Sequence, residues 1–191
     1  MSAMKATWAV LATAALLSCD SGSASEGFPA ASAAASNGEA VTYPNGHTLL
    51  LPTEDAGTLW RESEIVQLVN THRVSIGLNA LIDDAAVRDL ARGHSQHMIA
   101  HRFFSHTNPE GLTFDDRFTE AGIEWSHAGE NIAAGYGTAA AAFQAWMASP
   151  GHKENIERDL WTHTGVGYAA DPTPTASFPY VHYWTQEFLR P

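Results

Sequence analysis

A chain of 191 residues, 45% hydrophobic and 16% charged, carries enough apolar material for one sizeable core. Its formal charge of −11 disfavours a nucleic-acid partner, which would need clustered Lys and Arg against phosphate. Cys19 is the one cysteine, which excludes an intramolecular disulfide and a cysteine-built zinc site within one chain, whereas ten histidines offer imidazole, the commonest metal ligand.

Along the chain, Lys5 precedes an apolar run from Ala6 to Leu17 that is too short to span a bilayer as a stable helix, which predicts a secretory signal over residues 1–18. Leu16-Leu17-Ser18-Cys19 resembles the lipobox of bacterial lipoproteins. That resemblance implies an acylated Cys19 as the new N-terminus, with membrane lipid as a partner. Each buried methylene adds about 0.8 kcal/mol, so more than one acyl chain holds a protein firmly. Cleavage near Ala24, releasing a soluble secreted protein, is the alternative. From Asp20 to about Gly38 the chain is Ser, Ala and Gly, too poor in buriable surface to offset ordering entropy. Residues 19–57 therefore read as a tether and N-terminal extension, with a turn at Tyr43-Pro44-Asn45-Gly46 and Leu49-Leu50-Leu51 lying against a domain expected over residues 58–191.

Ile65, Leu68, Val69 and His72 at helical spacing predict a first helix stopped by Gly77. Asp83 or Asp84 caps a second, with Val87, Leu90, Ala91, His94 and Met98 on its inner stripe, running to about Phe103. Thr113 and Asp116 form a capping box for a short third helix closed by Gly122. A fourth runs from Thr138 to Ala148 and ends at Pro150-Gly151. Strands are expected over Asn131–Ala134, Gly165–Ala170 and Tyr180–Leu189; in the last, Glu187 alternates onto the face of Val181, Tyr183 and Thr185. Helices with few strands and no βαβ alternation predict an antiparallel α+β layer fold.

Several segments stand in a characteristic order: Asn70-Thr71-His72-Arg73, Phe103-Phe104-Ser105-His106, Asp116-Arg117, Gly129-Glu130-Asn131-Ile132-Ala133, Trp146-Met147-Ala148-Ser149-Pro150-Gly151-His152 with Asn155-Ile156, Gly165-Val166-Gly167, and Tyr183-Trp184-Thr185-Gln186. This series resembles the bacterial domains of the CAP superfamily over roughly Ile65 to Phe188. The resemblance implies a three-layer α-β-α sandwich with a central antiparallel sheet and a cleft in which two histidines and one or two acids can hold a divalent cation. Carried over by position, these are His106, Glu130 and His152. The second glutamate of many eukaryotic members is missing, since Trp146-Met147-Ala148-Ser149 carries no acid.

Two imidazoles and a carboxylate suit a zinc-like ion with an open position for water, with calcium or magnesium as other candidates; the same groups can equally form a metal-free hydrogen-bonded cluster. His106 follows two phenylalanines and precedes a turn, so it reads either as a cleft residue or as a loop histidine bonded to backbone. Glu130 is the candidate general base or, alternatively, a loop brace. His152 reads as a ligand or as a cap on the next segment, and His163 is a reserve ligand. His94, on an apolar stripe, reads as a buried core histidine. His97 and His101, spaced i to i+4 without the glutamate of His-Glu-x-x-His, read as a solvated pair. Tyr136 and Trp161 are expected on an exposed ligand-groove rim.

Two functions follow as expectations. One is an envelope-tethered binding module for a small apolar or cell-envelope ligand (lipid, peptide or cell-wall fragment), in keeping with the lipid and sterol binding that the resemblance implies. The other is a metal-assisted hydrolase of peptide or cell-wall bonds using the same cleft. In either case the protein is expected to be exported, lipid-anchored and monomeric.

Overall fold

The computed structural model describes residues 40–42, 48–50 and 56–191. The signal segment, Cys19, most of the tether, and the turn at Tyr43–Gly46 lie outside the described residues. Strands β1 (Ala40–Thr42) and β2 (Thr48–Leu50) pair antiparallel as a two-stranded ribbon.

Helix limits follow the side chains that satisfy free backbone ends. Helix α1 (Ala56–Ser75) stops before Gly77, whose φ of 85° is cheap only without a Cβ. Asp84 caps α2 (Ala85–His101) by accepting from the N–H groups of Ala86 and Val87 at 2.9 and 3.1 Å. The Asp116 carboxylate accepts from the Thr113 backbone N–H at 3.0 Å, the capping box that opens α3 (Phe114–Glu120). Thr138 caps α4 (Ala139–Ala148) through the Ala141 N–H. One difference from expectation follows: Pro150 does not simply end a helix but opens another, α5 (Pro150–Glu157), because a proline at the first helical position lacks only an N–H that had no partner there.

Strands β3 (Ile82–Asp83), β4 (His127–Ala134), β5 (His163–Ala170) and β6 (His182–Arg190) form a sheet in the order β3-β5-β6-β4. The β4–β6 and β5–β6 pairs are antiparallel, as expected. The two-residue β3 joins β5 in parallel, so the sheet is mixed rather than purely antiparallel. No helix among the described residues is long and apolar enough to cross a membrane.

Period-two alternation divides the sheet into two faces. On one, Gly165 and Gly167 let α2 rest directly on the backbone of β5; a Cβ at Gly167 would stand 1.9 Å from the Arg92 nitrogen. On the other, Ala133, Val166, Tyr168, Trp184 and Phe188 pack with Ile65 and Val69 of α1, Trp146 of α4 and Ile156 of α5 in one core cluster. The result is the α-β-α sandwich. Polar ties cross the layers: Arg92 donates to both oxygens of Glu62 at 2.8 and 2.6 Å, and Glu62 also accepts from the Tyr168 N–H at 2.9 Å.

The residues of the Asn70–Arg73 segment turn out to be structural clamps. Asn70 donates to the Leu81 carbonyl and accepts from the Leu81 N–H, at 2.9 and 2.7 Å. Buried Arg73 reaches the carbonyls of Asn79, Ile156 and Arg158 at 2.9, 2.7 and 2.8 Å, closing the C-terminal end of α5.

Candidate functional site

Glu130 lies on β4 and turns its side chain to the α2 face of the sheet, where it is 4% exposed. A buried carboxylate needs partners, and four elements supply them. His106, from the loop after α2, has Nδ1 2.7 Å from Glu130 Oε1. Arg117 of α3 donates to Glu130 Oε2 and, at 2.9 Å, to the His106 carbonyl, so one guanidinium fixes both the carboxylate and the loop. His94 of α2 has Nε2 3.7 Å from Oε2. Glu187 of β6 stands opposite Glu130 in the strand register.

Proton positions follow from these contacts. An ionised Glu130 accepts, so His106 Nδ1 carries the hydrogen and Nε2 is left for a ligand. The His106 side chain is 49% exposed and is the open wall of the cluster. His94 is buried against the Ser105 carbonyl, which takes its Nε2–H at 3.0 Å, and burial lowers its pKa to about 4. It is the neutral core histidine the sequence predicts. Burial works to raise Glu130 as well, but the His106 hydrogen bond and the Arg117 charge outweigh it and hold its carboxyl below the ordinary range. Glu187 goes the other way: burial, then the Glu130 charge, push it well above that range.

His152 reaches the cluster through the docking of α5 on β4. Asn155 donates to the Glu130 carbonyl and to Asn131 Oδ1 at 3.1 and 3.0 Å, and Asn131 donates to the His152 carbonyl at 3.1 Å. Burial, then the nearby His106, lower the pKa of His152, which favours its neutral form. The structure therefore brings His106 and Glu130 into contact and sets His152 close by.

His106 and Glu130 stand in a hydrogen-bonded cluster with Arg117. A catalytic zinc site takes three protein ligands, yet the donor atoms of His106, Glu130 and His152 do not converge into one such group among the described residues. Glu130 is committed on one oxygen to His106 and on the other to Arg117. It orients the His106 ring instead of presenting a ligand atom.

Other expectations are corrected. Trp161 is not on a groove rim: it is 3% exposed, because Gly129 leaves room for its ring, which stacks on Phe188 at 5.7 Å and donates to the Asn155 carbonyl at 2.9 Å. Tyr136 is exposed as expected. His163 bonds the adjacent Thr162 hydroxyl at 2.8 Å and makes no contact with Glu130. His97 and His101 stand as a pair, with His101 exposed, His97 half-buried and ring centroids 4.3 Å apart, and Glu110 joins them. Arg117 and Glu187 carry roles that the sequence reading does not assign. A signal for Glu187 is present, as an acid alternating onto the same strand face as Tyr183 and Thr185.

The model of the family described as Cysteine-rich secretory protein family, CAP, matches residues 66–188. Over 128 residues the chain is 36% identical to the uncharacterized protein YkwD of Bacillus subtilis (strain 168), covering 67% of this chain and 46% of that protein. Over 129 residues it is 33% identical to the uncharacterized membrane protein YlbC of the same organism, covering 68% and 34%. The chain thus spans less than half the length of these curated relatives. Among solved structures, an extracellular protein containing a SCP domain from Bacillus anthracis str. Ames superposes with a TM-score of 0.62 at 33% identity, over 70% of this chain and 41% of that one. An outer surface protein from Borrelia burgdorferi gives 0.60 at 17% identity over 80% and 98%, a likeness of fold alone.

Proposed function

This chain belongs to the cysteine-rich secretory protein (CAP) family, and from that premise we propose that it is an exported, lipid-anchored domain that binds a small apolar or envelope-derived ligand at the His106–His152 cleft. One observation carries the reading: both oxygens of Glu130 are engaged, by His106 and by Arg117. A general base needs a free carboxylate oxygen within reach of the proton it takes. Glu130 instead stiffens His106, and the cleft offers a ligand imidazole nitrogen with Phe104, 46% exposed, two residues away in the chain. Polar anchors beside apolar surface are what a small-ligand site requires. This supports binding over metal-assisted hydrolysis.

Export is supported by the apolar run before Cys19 and by the extracellular SCP-domain relative. Replacing Cys19→Ala is expected to move the protein from the membrane to the soluble fraction.

The test of binding is a titration of the full chain with a fluorescent fatty acid and with soluble peptidoglycan fragments. Saturable binding of either, weakened by Phe104→Ala or Tyr136→Ala and largely kept in Glu130→Gln, is the expected result. Turnover of a peptide or cell-wall substrate that Glu130→Gln abolishes would replace this reading with the hydrolase.

A further inference from the structure

The C-terminal turn of α2 brings together three side chains that the cleft does not use. His97 and His101 are one helical turn apart, so they share a helix face. Glu110 comes from the loop that folds back after the helix, and its Oε2 stands 3.3 Å from His97 Nε2. The potential ligand atoms of the three all lie within 4.8 Å of one another.

We propose that His97, His101 and Glu110 form a binding site for a zinc-class divalent cation at the end of α2, distinct in its residues from the cleft. With metal–ligand bonds of about 2.0–2.1 Å, ligand atoms of a tetrahedral site stand about 3.3 Å apart. The His97–Glu110 pair has that spacing already. The widest pair closes by rotation of His101 and Glu110, both exposed. Two imidazoles and a carboxylate are a borderline-soft donor set that selects zinc and its first-row neighbours over calcium or magnesium.

The surroundings hold the three in place. The His97 ring meets Phe103 edge-on with centroids 5.4 Å apart, which restrains its rotation. Arg102, in the left-handed region at φ 56°, ends the helix right after His101 and is anchored by Asp171. Asn108 accepts from the Leu112 N–H at 2.7 Å, and its carbonyl accepts from Gly111 at 3.0 Å, so the loop bearing Glu110 is pinned on both sides. The last carbonyls of α2 carry the negative end of the helix dipole, which favours a cation there.

The experiment is a calorimetric titration of the untagged full chain with zinc chloride, in wild type, His101→Ala, Glu110→Gln and the cleft variant His106→Ala. Stoichiometric binding is expected, weakened at least about tenfold by His101→Ala and by Glu110→Gln, since even supporting residues around a metal cost that much. His106→Ala should leave it unchanged. His101 and Glu110 are exposed, so neither variant threatens folding. Absence of saturable binding, wild-type affinity in both site variants, or a loss that follows His106→Ala instead would each overturn the proposal.

Discussion

Glu130 and Glu187 face each other across β4 and β6, two buried carboxylates beside the single guanidinium of Arg117. One cation does not neutralise both, so the proton stays with Glu187 and the pair titrates as a unit. Because the native pKa of Glu187 is raised above its ordinary 4.5, the unfolded chain releases that proton at lower pH than the folded one. The stability it contributes is complete below the ordinary value and is lost as pH rises through the native value. Glu187→Gln stays neutral and can still accept from Arg117. It should exceed wild type in stability at alkaline pH, with the gain vanishing as pH falls towards the ordinary value of 4.5. Urea denaturation at several pH values measures this.

His94 has the opposite sign of pH dependence. Its native pKa is lowered to about 4 from 6.5, so across that window the unfolded chain binds a proton that the native chain refuses. Stability should fall as pH drops from 6.5 towards about 4 and should not fall further on this account below it. The slope from one such group is at most about 1.4 kcal/mol per pH unit. His94→Gln, which can still donate to the Ser105 carbonyl, should flatten the curve there. An unchanged slope would show that His94 is not the group responsible.

Gly167→Ala should be among the most damaging single-methyl changes in the protein. The new carbon would fall 1.9 Å from the Arg92 nitrogen, against helix backbone that cannot swing aside. Overpacking of this kind costs about 1–3 kcal/mol or more. A melting temperature within a degree or two of wild type would contradict the close seating of α2 on β5.

Glu62→Ala removes the carboxylate that accepts two hydrogen bonds from buried Arg92; because Asp89 still stands 3.2 Å from the same guanidinium, the loss should fall near about 3 kcal/mol, the low end for breaking a buried pair. Glu62→Leu combined with Arg92→Met should recover part of that loss, because the desolvated charge is gone as well, while the Tyr168 N–H still loses its Glu62 acceptor. A double variant no more stable than the single one would assign the bond a larger net share than burial arguments allow.

Much of this arrangement is legible in single residues of the sequence. Asp84, Thr113, Thr138 and Gly77 fix helix limits because each satisfies a backbone group or a left-handed turn locally. His106 and Glu130 are legible as partners because their motifs are distinctive. The rest depends on what lies across space. Trp161 reads as a surface aromatic until Gly129, more than thirty residues away, provides its slot. Pro150 reads as a stop because its local preference is the same at the end of one helix and the start of the next. Arg117 sits in a recognisable motif, but that it binds three groups at once is a property of the α3–β4 approach. Nor does helical spacing alone reveal that Glu110 folds back onto His97.

Arg73 holds the last turn of α5 from a position 83 residues earlier in the chain, and α5 carries His152. His152, the second histidine of the proposed cleft, is thus held through its own helix by a residue on a different one. If the proposed binding role holds, a mutational survey scored by ligand affinity would register Arg73 beside His152, although a map drawn by distance from His106 would leave it out.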